Sequence, residues 1–103
     1  MTEERLKNIQ EMEEILNKTE VFTSEAKQFL EKWENLLPEI KKLSDYYYEG
    51  GWKDDYDASN RGEIPEGMPH GVLSEDAIYN ATGEHYLIAV EFLKTVTKVI
   101  ANE

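Results

Sequence analysis

The segment Asp45-Tyr46-Tyr47-Tyr48-Glu49-Gly50-Gly51-Trp52-Lys53-Asp54-Asp55-Tyr56-Asp57 interleaves aromatic rings with carboxylates and holds the densest chemistry in the chain. Turned outward, Tyr47, Tyr48, Trp52, Asp55 and Tyr56 would form an interaction surface: the rings supply rigid contact area, and the carboxylates attract a basic peptide or a cation. Turned inward, the same rings would close the end of a helical bundle, with hydroxyls and indole nitrogen reaching loop carbonyls. The inward reading is favoured, because a long loop stays ordered only by burying side chains of its own.

Asp55, Asp57, Ser59, Arg61, Glu63 and Glu66 repeat the ligand spacing of an EF-hand calcium loop. The pattern is degraded: Asn60 stands where that loop needs glycine, and Gly67-Met68-Pro69 cannot open the exiting helix. Calcium held by Asp55, Asp57, Ser59 and Glu66 is therefore a minor alternative, and the main expectation is that no metal or other cofactor is bound. Acids capping turns explain the spacing more simply. The two histidines, His70 and His85, have no metal-site spacing, and no Glu-x-x-His pair of the di-iron bundles occurs. Gly50-Gly51 is not followed by Lys-Ser or Lys-Thr, so it reads as a helix stop rather than a phosphate cradle. No nucleophile and base stand together, and the chain is read as non-enzymatic.

Composition narrows the remaining classes. Twenty-two acids against eleven bases give a formal charge of -11, which disfavours contact with nucleic acid phosphates and anionic membranes. There is no cysteine, so disulfides and thiolate chemistry are out of reach, and a reducing cytoplasm is the expected setting. The opening Met1-Thr2-Glu3-Glu4-Arg5 is acidic, and no later stretch reaches about 18 consecutive apolar residues, so neither secretion nor membrane insertion is expected.

The elements that must carry these residues are helical. Ile9, Met12, Leu16, Thr19, Thr23, Ala26, Leu30, Trp33, Leu37, Ile40, Ser44 and Tyr47 alternate three and four apart and keep one heptad register. This predicts a first helix over about 3–48, roughly 60 Å for the span of the register. The g positions add Ile15, Phe22, Phe29, Leu36 and Leu43, so the buried stripe is three residues wide per heptad. That width suits a bundle better than a two-stranded coiled coil. Ile15, Phe22, Phe29, Leu30, Trp33, Leu36 and Leu37 are its expected core and dimer contacts. The β-branched run near Thr19–Ser24 leaves a hairpin turn as an alternative, but the register does not slip there, and Pro38 falls at an outward position where it predicts a modest kink.

Residues 49–72 contain most of the glycine and proline and predict a long ordered loop. Ser74 as N-cap predicts a short helix over 74–81, broken by Thr82-Gly83, and a last helix over 84–101. The last helix is less than half the length of the first and cannot cover its stripe alone. A homodimer, forming a four-helix body from a single 103-residue all-α domain, is the expectation.

Tyr46-Tyr47, Trp52, Asp55-Tyr56, Gly62 with Ile64-Pro65, and Gly71-Val72-Leu73-Ser74-Glu75-Asp76-Ala77 with Tyr79 resemble the small bacterial family called domain of unknown function 4298. The heptad helix before them looks similar too. The resemblance implies a mainly helical cytoplasmic protein, often from Gram-positive bacteria, and carries over no functional residue. Met68-Pro69-His70 departs from the pattern, which has a leucine and basic residues before the glycine. The functional expectation is a homodimerising module for protein–protein interaction with an unidentified protein partner. The alternative is small-ligand or cation binding through the acidic aromatic segment 45–66.

Overall fold

A computed structural model describes residues 1–102. The order of elements is α1 (Glu3–Glu49), α2 (Trp52–Asn60), a 3-10 turn (Gly71–Leu73) and α3 (Ala77–Ile100), with no strand among the described residues. Two units divide the chain, Met1–Pro38 and the residues from Glu39 onward.

The first unit is the N-terminal part of α1 alone. Thr2 opens the helix, its Oγ1 accepting the Arg5 amide at 3.2 Å, and Glu3 and Glu4 occupy the first turn, where the helix dipole favours acids. The β-branched run does not break it: Thr19 Oγ1 donates to Ile15 O at 2.8 Å, satisfying its hydroxyl within the helix. Pro38 is also inside the continuous helix. No residue of α1 is buried. Phe29 and Trp33 meet edge to face at 5.9 Å. Of the stripe, Ile9, Met12, Ile15, Leu16, Phe22, Phe29, Leu30, Leu36 and Leu37 are 46% to 68% exposed. Fully burying such a side chain stabilises by about 1.5–3 kcal/mol, so the stripe leaves on the order of 10 kcal/mol per chain unrealised.

The second unit has a small core of Trp52, Leu73 and Ile78, with Leu43, Tyr46, Tyr47, Tyr56 and Ile64 packed around it. α1 stops at Glu49 because the chain passes tightly over its last turn: a Cβ on Gly50 would lie 2.9 Å from Tyr46 Cα and 2.9 Å from Tyr46 O. Both are backbone atoms that cannot swing aside. Gly50→Ala is expected to cost more than about 1 kcal/mol, read as a lower urea midpoint at unchanged slope.

Three boundaries differ from expectation. Residues 49–72 are not all loop, because Trp52–Asn60 is helical. Trp52 and Tyr56 share one face, Lys53 and Asp57 pair at 2.9 Å four residues apart, and Asp54 and Asp55 sit in the favourable first turn. Nine residues are too few to display a period. Ser74 caps no helix: its Oγ donates back to Gly71 O at 2.6 Å, closing the 3-10 turn, and α3 begins only at Ala77. Finally, Thr82-Gly83 does not separate two helices, since α3 runs unbroken through them. Thr82 Oγ1 donates to Ile78 O at 2.9 Å, and one glycine costs a helix only about 1 kcal/mol. Ile78 is the only α3 residue in the buried core. Leu87, Leu93, Val99 and Ile100 are exposed.

Candidate interaction site

The aromatic and acidic segment folds as the end of α1 turning into α2. Trp52, the first residue of α2, is buried and anchors the arrangement. Its Nε1 donates to Val72 O at 2.9 Å, tying the 3-10 turn to α2 across twenty residues of sequence. Tyr56, one helical turn on, stacks on the indole at 4.9 Å with an 18° interplanar angle. Tyr47 meets the indole edge-on at 4.9 Å and in turn contacts Tyr48 at 4.9 Å. Such pairs add about 0.5–1.5 kcal/mol beyond the area they bury. Lys53 lies 5.3 Å from the centre of the Tyr56 ring, and its ammonium is held above the usual lysine range by its hydrogen bond to Asp57.

Trp52 is therefore not available as an exposed anchor, and Tyr47 and Tyr56 are half-buried against the core. The inward reading describes these three. Tyr48 and Asp55 remain at the surface, although Asp55 is engaged: Tyr46 donates its hydroxyl to Asp55 Oδ2 at 2.6 Å. Burial first, then that hydrogen bond and the carboxylate's charge, push the Tyr46 phenol up to about 12.

A tyrosine held neutral in the folded state is favoured there below its unfolded pKa of about 10, and this contribution disappears as pH rises through 12. Denaturation midpoints should fall between pH 10 and pH 12, and Tyr46→Phe should remove that component of the fall. An identical alkaline profile in the variant would contradict the assignment.

The EF-hand spacing does not become a calcium loop. Asp55, Asp57 and Ser59 belong to α2, where residues two apart point about 200° away from each other. Among the described residues, no group of three His, Cys, Asp or Glu side chains is placed to hold a metal ion. Glu66 lies beyond α2, between Pro65 and Gly67. Arg61 pairs instead with Glu63 at 2.5 Å.

An open groove of about 640 Å³ lies between α2 and the 3-10 turn, bordered by Tyr56, Asn60, Met68, His70 and Ser74. Tyr56 and Ser59, both among the residues expected to bind, border it from α2, whereas Met68, His70 and Ser74 come from a glycine- and proline-rich stretch with no period to announce a wall. His70 Nδ1 is 2.9 Å from Met68 O, so the ring is tethered to its own loop. His85 is half-buried on α3.

The family model described as Domain of unknown function (DUF4298) matches residues 9–95. The chain belongs to this family. The DUF4298 match takes in the α1 stripe from Ile9, the whole aromatic cluster and most of α3. No curated protein and no solved structure matches the chain. The residues on which the resemblance rests are the structural ones of the second unit: Trp52, Leu73, Tyr46 and Ile64 build its core. Gly62 turns the chain at φ +79, a conformation that glycine adopts without strain. The family's description assigns no chemistry to them. No helix among the described residues is long and apolar enough to cross a membrane.

Proposed function

We propose that this DUF4298 protein is a non-enzymatic homodimerising module of the cytoplasm, acting through protein–protein interaction, and that the α1 stripe is its dimer seam. The observation that carries the reading is the absence of any buried residue in α1 despite nine large apolar side chains on one stripe. A surface helix is stabilised mainly by packing its apolar face. Covering these stripes on two chains removes roughly 500–1,000 Å² of apolar surface. With a polar rim added, that reaches the size of a standard stable interface.

Another copy of the chain fits because it brings the same three-residue-wide stripe, and two-fold pairing lets each satisfy the other. Cysteine-free composition supports the cytoplasmic setting. A further protein partner would meet the exposed Tyr48 and its acidic surroundings rather than the buried Trp52. Light scattering at micromolar concentration tests the assembly: twice the 12.0 kDa chain mass is expected, and a single chain's mass overturns the reading.

A further inference from the structure

Besides an exposed apolar row of Ile88, Phe92, Val96 and Val99, α3 carries two stripes side by side. Ile78, Thr82, His85 and Ala89 follow the first, which is buried or half-buried. The second, Gly83, Tyr86, Val90, Leu93, Thr97 and Ile100, repeats three and four apart without one charged residue. Its large members Tyr86, Leu93 and Ile100 recur every seven residues and are 69%, 64% and 85% exposed. A helix apolar over so wide an arc needs a neighbour on more than one side.

The order of sizes along this second stripe points to its occupant. Small or medium residues, Gly83, Val90 and Thr97, alternate with the large Tyr86, Leu93 and Ile100. A parallel copy would set Tyr86 against Tyr86 and Gly83 against Gly83, alternating crowding with voids. An antiparallel copy sets one large residue against one small in every layer, the arrangement in which knobs fill holes. Tyr86 then faces the partner's Thr97, Val90 faces the partner's Leu93, and Ile100 enters the notch at the partner's Gly83. That notch is open: a Cβ there would meet nothing within 4 Å.

Charge agrees with this direction. Lys94, at the edge of the seam and 3.3 Å from its own Glu91, comes level with the partner's Leu87 and Glu91, so its stem covers an exposed leucine and its ammonium meets a carboxylate. The seam spans about 26 Å and adds its apolar area to that of the α1 stripe.

We infer that α3 pairs antiparallel with α3 of a second copy through the seam from Gly83 to Ile100. The pairing rests on the homodimer reading and specifies a contact that the α1 stripe alone does not require. Because the chain has no cysteine, introduced thiols report it cleanly. Tyr86→Cys mixed with Thr97→Cys should, on mild oxidation, give the mixed disulfide at least tenfold above either like-with-like product. Gly83→Cys mixed with Ile100→Cys provides a second pair if the first perturbs folding, with helix content followed by circular dichroism. Like-with-like cross-links, or a dimer by light scattering with neither mixed disulfide, overturn the α3 pairing and leave the dimer standing. A monomer mass for the unmodified chain overturns both.

Discussion

Replacing Trp52 by alanine is expected to cost about 3–5 kcal/mol, the usual range for deleting a buried aromatic side chain, and so to unfold much of the unit from Glu39 onward. Among the described residues, the core there has three buried side chains, Trp52, Leu73 and Ile78. Losing the indole removes the stack on Tyr56, the edge contact with Tyr47 and the hydrogen bond to Val72 O together. Small domains have a total stability of only about 5–15 kcal/mol, so little margin remains. Urea unfolding at fixed protein concentration, followed by circular dichroism, reads the loss. Trp52→Phe keeps most of the apolar volume and should cost less than half as much. Equal losses for the two variants would show that the hydrogen bond, not the packing, dominates.

The second large effect concerns assembly. Phe22 is 68% exposed, so Phe22→Glu should leave an isolated chain no less stable. In a dimer seam the same change removes a buried ring and places a charge against an apolar partner, which should weaken association by about two orders of magnitude, or roughly 3 kcal/mol. Leu30→Glu, eight residues on at an a position of the same stripe, should act in the same way. Val21→Glu, off the stripe though 58% exposed, should change little. Sedimentation velocity across a concentration series distinguishes the three. Equal weakening by all three would move the seam off the a, d and g positions.

What the sequence made legible follows from length and repetition. α1 could be read because its register holds over twelve positions, and neither Thr19 nor Pro38 shifts the phase. α2 could not, because it has fewer than three turns and its acids resemble a calcium loop when the helix is unseen. The start of α3 is not legible, because Ser74 has the right type for a cap but gives its hydroxyl to Gly71 O. Thr82-Gly83 has the composition of a break, yet the hydroxyl bonds within the helix and the glycine costs little. At the aromatic cluster, residue types announced unusual chemistry, but only the fold separates buried Trp52 from exposed Tyr48. The bond from Tyr46 to Asp55 links the end of α1 to α2 and depends on a helix that periodicity does not reveal.

The central claim, that another copy covers the α1 stripe, is tested most directly by diluting the chain while recording mass and helix content together. A helix whose stability comes from packing should fray as its partner leaves, so helix content is predicted to fall in step with the change from twice 12.0 kDa to 12.0 kDa. A chain that keeps full helix content at monomer mass throughout the series would contradict the account.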